Sequence, residues 1–294
     1  MCIQVKTKRF YAIICTTICL ALLSDSTNAA LCSTDSKFIN IPEGKFWMGS
    51  DRTERDHAYK IGSSSARQFR WYDNWELPRS KVNLQTYYID RHLVTQKEYQ
   101  RFVRETGHRV PYISKAGYLK QGYLVHPYSE VRKYLWTTNS ESQQSSHPGP
   151  LANHPVVLVS QNDAKIFCRW RGQKYDLKYN LPDEPQWEKA ARGINGQYYP
   201  WGNNFTADNL NFAYRQGGTT PVGQFSSGAS PYGVMDMAGN VFEWTTTPFD
   251  RERISMKGGG SWDDQGGICR AASRHGRNPN ARHILFGFRC SCVD

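Results

Sequence analysis

Between residues 260 and 289 the chain gathers many groups able to do chemistry. Gly260-Ser261-Trp262 is followed by the adjacent carboxylates Asp263 and Asp264, then by Cys269, His275 and the cations Arg270, Arg274, Arg277, Arg282 and Arg289. Paired carboxylates can act as a general base or bind a metal, and a thiol can be a nucleophile. The cations can draw in an anionic group, or form a solvated face that pairs with nearby acids. Adjacent residues on an extended strand point to opposite faces, so only one carboxylate, Asp264, is expected to look into a cleft. The alternative is that Asp264 accepts backbone hydrogen bonds in a Gly-rich turn. Cys269 is either a thiol whose pKa is lowered by Arg270 and His275 or an inert, buried small apolar residue. The eight His residues follow no metal-ligand spacing, and phosphate loop, dinucleotide fingerprint and serine elbow are all absent.

Three helices are marked strongly enough to position such groups. Thr95-Gln-Lys-Glu98 reads as a capping box, after which Tyr99, Phe102 and Val103 recur on one face until Gly107. A second helix is expected from about Ser160 to Trp170, with Ala164, Phe167 and Cys168 as its stripe and Gly172 as its stop. A third starts after Pro182, with Asp183 as cap and Gln186 three residues on, and ends at Gly193. Elsewhere short extended runs are broken by Gly, Pro, Asn and Ser. Residues 108–153 read as a long surface excursion suited to setting specificity, and 51–80 read the same way around Phe69, Trp71, Tyr72 and Trp75. These signs predict an α+β, loop-rich single domain with few helices and short antiparallel strands.

The chain has 294 residues, 39% apolar and 21% charged, which excludes disorder and a membrane-embedded fold. Lys6, Lys8 and Arg9 precede the apolar run 11–23, and small residues follow at Ala29 and Ala30, the outline of a signal peptide over 1–29 ahead of a domain over 30–294. Losing that leader removes three cations and one acid, and the formal charge falls from +11 to +9. Cations are scattered with no run longer than two, so no nucleic acid is expected as partner, nor a stable membrane span in the mature chain. Five cysteines remain: Cys32, Cys168, Cys269, Cys290 and Cys292. In an oxidising compartment, for which the periplasm is the expectation, that count predicts up to two disulfides and one thiol. Chain termini often lie close together, which favours a Cys32–Cys292 bridge.

Eight blocks stand in order: Ile41-Pro-Glu-Gly-Lys-Phe-Trp-Met-Gly-Ser50, Tyr88-Ile-Asp-Arg-His-Leu-Val-Thr95, His154-Pro-Val-Val-Leu-Val-Ser160, Leu181-Pro-Asp-Glu-Pro-Gln-Trp-Glu188, Pro200-Trp-Gly202, Asp236-Met-Ala-Gly-Asn-Val-Phe-Glu-Trp244, Gly259-Gly-Ser-Trp262 and Gly287-Phe-Arg-Cys290. Together they resemble the formylglycine-generating enzyme (sulfatase-modifying factor) family over residues 38–292. The resemblance implies a fold related to C-type lectins and a helix-to-strand disulfide, here Cys168–Cys290. It leaves activity open, because the family also includes pyoverdine-maturation proteins, ergothioneine-pathway oxygenases and members without known catalysis. The oxygenases' His-x3-His-x-Glu iron motif is absent.

The family's copper oxidases hold Cu(I) on two thiolates placed three and eight residues after the serine of Gly-Gly-Ser. Counting from Ser261 gives Asp264 and Cys269, so one soft ligand is replaced by a hard one and copper is not expected. One family calcium site maps onto Asp236, Gly239, Val241 and Glu243, two carboxylates and two carbonyls suited to Ca²⁺. A second would begin at Asn209 and Leu210, but its acidic ligand falls near Tyr214 or Arg215, which makes it weak. The resemblance is closer to the pyoverdine-maturation branch than to the sulfatase-activating one. It implies an oxidative maturation factor for a peptide-like or small anionic substrate, with Asp264, Cys269 and His275 lining the cleft, Ser261 and Phe242 shaping it, and Arg270, Arg274 and Arg277 orienting an anion. A binding module without catalysis and a copper-dependent oxidase remain the alternatives.

Overall fold

Capping chemistry builds the three expected helices. In the computed structural model, which describes residues 32–294 apart from 123–124, 139–144 and 259, these are α4 (Gln96–Thr106), α7 (Gln161–Gln173) and α8 (Glu184–Arg192). Each carries a reciprocal capping box, from Thr95 and Glu98, Ser160 and Asp163, and Asp183 and Gln186. Gly107 ends α4 at φ 68°, a left-handed position that glycine adopts without strain. Gly172 does not stop α7. It lies inside the helix, where a Cβ would come within 2.3 Å of the Leu177 carbonyl oxygen, so its role is close packing. The signal peptide expected over 1–29 lies outside the described residues.

Five further helices appear inside the two segments whose composition reads as loop: α1 (Arg52–Ile61), α2 (Ser64–Gln68), α3 (Trp71–Trp75), α5 (Lys115–Lys120) and α6 (Tyr128–Val131). Asp51, Ser63 and Ser114 cap α1, α2 and α5 by accepting from backbone N–H groups. The segment 108–153 is therefore not a surface excursion. It buries Tyr118, His126, Val131 and Trp136 against the rest of the molecule.

The strands are short: β1 (Phe38–Ile41), β2 (Gly44–Met48), β3 (Ser80–Leu84), β4 (Tyr87–Asp90), β5 (Thr137–Thr138), β6 (Ser145–Ser146), β7 (Tyr179–Asn180), β8 (Phe242–Pro248), β9 (Ile254–Lys257), β10 (His275–Arg277), β11 (Phe286–Gly287) and β12 (Ser291–Cys292). One sheet runs β1-β4-β12-β7, antiparallel throughout, and joins both ends of the described chain. The other runs β10-β9-β8-β11, with β11 parallel to β8. β2 pairs with β3, and β5 with β6, as separate ribbons. The main core packs Tyr99 and Phe102 of α4 on Phe167 of α7 and on Phe288, and extends to Trp244 and Trp262. Two disulfides staple it. Cys168–Cys290 joins α7 to the residue before β12, and Cys32–Cys292 joins the two ends, with Cα separations of 5.6 and 5.9 Å.

Candidate functional site

Residues 261–264 form a turn rather than a strand. Asp264 N–H donates to the Ser261 carbonyl at 3.1 Å, while Trp262 N–H donates to Asn240 O, Tyr214 N–H to Trp262 O and Ala213 N–H to Asp264 O. The opposite-face expectation fails for that reason, and both carboxylates converge on one hydroxyl. Ser261 Oγ lies 2.6 Å from Asp263 Oδ1 and 2.8 Å from Asp264 Oδ2. Gly260, at φ 79°, makes the turn possible, because a Cβ there would stand 2.9 Å from Cys269 Sγ and 3.2 Å from Asp264 Cβ.

A serine hydroxyl has one proton to donate, so it cannot satisfy two ionised carboxylates at once. Burial and the charge of Asp263 push the Asp264 carboxyl upward, against hydrogen bonds from the Ser261 hydroxyl and amide. The missing proton has a route. His126 Nε2 lies 3.0 Å from Asp263 Oδ2 and its Nδ1 lies 2.7 Å from Glu130 Oε2, with the imidazole side chain 1% exposed and the Glu130 side chain 36%. Burial opposes a charged imidazole, but hydrogen bonds to Asp263 and Glu130 outweigh it and raise the pKa. A continuous line of polar contacts thus runs from solvent at Glu130 through His126, Asp263 and Ser261 to Asp264. Trp262 and Tyr214 wall it, with their rings 4.7 and 5.8 Å from His126. Tyr118 ties the arrangement down by donating to the His126 carbonyl, and its hydroxyl meets His283 Nε2 at 3.2 Å. Burial and the neighbouring His126 charge push His283 down to about 3.

A family profile described as "Sulfatase-modifying factor enzyme 1-like domain" matches residues 25–292. The chain belongs to the sulfatase-modifying factor family. It is 30% identical over 297 residues to mouse (Mus musculus) "Inactive C-alpha-formylglycine-generating enzyme 2", covering 87% of this chain and 86% of that one. To mouse "Formylglycine-generating enzyme" it is 27% identical over 304 residues, covering 87% and 75%. Its fold is that of PvdO from Pseudomonas aeruginosa, with a TM-score of 0.64 at 21% identity over 87% of this chain and 94% of the other.

At the two positions where the family's oxidases hold copper, this chain places Asp264 and Cys269. Cys269 is the one free cysteine among the described residues; it is fully buried, and its thiol contacts Gln265 O at 3.5 Å. Burial and the Asp264 and Asp263 charges push its pKa well up, opposite to the lowering expected from Arg270 and His275. One neutral thiol and one carboxylate do not fit Cu(I).

The other expected residues are divided among different places. Arg270 is fully buried on Glu54 and Glu76, and Arg274 sits 2.7 Å from Glu184, so neither is placed to orient an anion. Arg277 lies over the Phe286 ring, close enough for its charge to favour ionised Asp264. His275 is buried edge-on against Phe242 at 4.7 Å and Trp75 at 4.9 Å, and burial lowers its pKa. No described hydrogen bond or ring contact links it to Asp264. The missed members are His126, Glu130, Tyr118, His283 and Tyr214. Their only sequence signal is the four-residue spacing of His126 and Glu130 at the edge of α6.

The first calcium set fits in kind. Asp236 is a buried carboxylate, and burial with the Glu243 charge pushes it up to about 6 although the Gly223 N–H donates to it at 2.7 Å. A divalent cation would relieve that charge, held by Asp236, the Gly239 and Val241 carbonyls and Glu243. Both Glu243 oxygens already accept from Arg289, at 2.7 and 2.8 Å, which lowers the charge on offer. At Asn209 and Leu210 no acid joins from residues 214–215. Arg215 instead donates to Ala207 O and pairs with Asp208.

Proposed function

We propose that this chain is an exported member of the family that binds a peptide-like substrate or partner at the Ser261–Asp264 turn, without copper oxidase chemistry. The observation that carries the reading is the pair of family copper positions. One holds a fully buried neutral thiol, and the other a carboxylate hydrogen-bonded to Ser261. Similarity to a relative named as inactive supports it. Two disulfides suit an oxidising compartment, and no helix among the described residues is long and apolar enough to cross a membrane. Calcium, where bound, acts as a structural cross-link between Asp236 and β8.

The test is a thiol count on the purified mature protein with and without Cu(I), together with oxygen uptake on a cysteine-containing peptide. The expected result is one thiol, reactive only after unfolding, with no copper protection and no oxygen consumed. Two thiols that protect each other, or copper-dependent oxygen uptake, would overturn the reading. Calcium is expected to raise the melting temperature of the wild type and not of Asp236→Ala.

The contact line from Glu130 to Asp264 favours a second reading, maturation of a peptide-like substrate with Asp264 as its proton acceptor. Under it, loss of turnover in Asp264→Asn follows the carboxylate and not peptide affinity.

A further inference from the structure

Two adjoining cavities flank α4, away from the Ser261–Asp264 turn. One has a volume of about 450 Å³ and is lined by Arg91, His92, Lys97 and Asn153. The other, about 560 Å³, is walled by Phe167, Trp170 and Tyr175, with Lys174 over the Tyr175 ring. Lys37, Glu98 and Arg171 line both, and the Lys37–Glu98 ion pair lies between them. Six cations and four carboxylates line the two together. Lys37 pairs with Glu98, Arg101 with Glu105, and Arg171 with Asp90 and Asp35. Arg91, Lys97 and Lys174 are exposed and make no ion pair among the described residues.

Buried polar atoms in the cavity walls also lack hydrogen-bond partners. The Arg171 side chain is 11% exposed and its guanidinium lies over the rings of Phe38 and Tyr179. Its two Nη atoms bond Asp90, whereas Nε has no hydrogen-bond partner. His92 Nδ1 is likewise buried without a partner, and burial with the Arg289 and Arg91 charges holds the ring neutral. Unmatched cations at one end and aromatic walls at the other complement a ligand that is anionic and aromatic by turns.

We propose that this groove binds an acidic peptide segment of another protein, its carboxylates against Arg91, Lys97 and Lys174 and an aromatic side chain against Trp170 and Tyr175. The sequence placed the anion-orienting cations at Arg270, Arg274 and Arg277. The structure matches the first two to buried acids, and Arg91, Lys97 and Lys174 are cations it leaves without an ion pair at this groove. The inference stands apart from the proposed role of the Ser261–Asp264 turn, since none of its residues belongs to that turn.

Fluorescence anisotropy of labelled octapeptides on the full mature protein tests it, with one probe alternating Glu and Tyr, one alternating Lys and Tyr, and one of Glu alone. The Glu/Tyr probe binds, weakens about tenfold between low and physiological salt, and binds about tenfold more tightly than poly-Glu; the Lys/Tyr probe does not bind. The Arg91→Glu/Lys97→Glu double variant loses about tenfold in affinity, while Lys133→Glu, outside the groove, keeps it. All three side chains are exposed, and an unchanged melting temperature shows that the variants fold. Failure of the Glu/Tyr probe to bind, equal binding of the Lys/Tyr or all-Glu probe, or wild-type affinity in the double variant would each overturn the proposal. Asp264→Asn keeps the probe's affinity if the groove is the site; affinity lost in Asp264→Asn and kept in the Arg91→Glu/Lys97→Glu variant would place binding at the turn and overturn the proposal.

Discussion

Two clusters of titratable side chains lie within the same fold and differ in how their charges are matched. Beneath α8, Arg270 meets Glu54 at 3.0 Å and Glu76, Arg192 meets Glu54 at 2.8 Å and Glu188 at 2.9 Å, and Lys257 meets Glu188 at 2.9 Å. Lys257 also lies 3.7 Å from Glu184, which Arg274 meets at 2.7 Å, so four cations face four carboxylates, all of them buried. At the Ser261 turn three carboxylates, Asp263, Asp264 and Glu130, share one imidazole and one hydroxyl. The first arrangement is neutral when fully ionised and needs no proton from solvent. The second is acidic when fully ionised and must take up a proton or a cationic or hydrogen-bond-donating group. Buried charge alone therefore does not mark a site; unmatched charge with a path to solvent does.

The largest effect that could break this contrast is on stability. Arg270→Met leaves Glu54 and Glu76 without that partner in a buried place and is expected to cost about 3–5 kcal/mol in urea unfolding. A loss under about 1 kcal/mol would mean that the network is no more demanding than the turn. Next in size is Gly260→Ala, expected to cost about 1–3 kcal/mol through left-handed strain and the Cys269 contact. The cost shrinks in a Cys269→Ala background if that contact contributes, and additivity of the two changes would show that strain acts alone.

Asp264→Asn has the opposite sign. Because its folded pKa stands above the unfolded value, the folded chain holds a proton that the unfolded chain has released. The associated stability is complete below the ordinary carboxylate range near 4 and is lost as pH rises through the folded pKa. Near neutral pH the substitution is expected to be neutral or stabilising by about 1 kcal/mol and to flatten stability against pH in that window. A wild-type profile that rises across the same window would contradict the shift. The smallest effect belongs to His126. Its raised pKa gives stability that is complete below about 6.5 and is lost as pH rises through the folded value. His126→Gln removes that slope, and a ring titration by NMR falls in Asp263→Asn if the contact is as described.

Legibility in the sequence followed locality. Thr95 with Glu98, Ser160 with Asp163, and Asp183 with Gln186 announce their helices because a capping box is complete within four residues. The helices α2, α3, α5 and α6 are too short to show a period and are held by caps and tertiary packing, and the loop-like composition of 51–80 and 108–153 hides them together with α1. The site divided in the same way. Ser261, Asp264 and Cys269 were found because the family spacing is local, whereas His126 meets Asp263 across 137 residues and His283 meets Tyr118 across 165.

By itself the sequence determined the family, the α+β class, three capped helices, the missing second copper thiol and the cysteines available for pairing. All of these depend on residue identity and short spacing. Tertiary structure alone decided that Asp263 and Asp264 share one hydroxyl, that Arg270 and Arg274 are matched to buried acids, and that Arg91 and Lys97 are not. The physical reason is that the state of an ionisable group depends on burial and on charges within a few ångströms. Those neighbours come from chain segments whose approach no local pattern encodes.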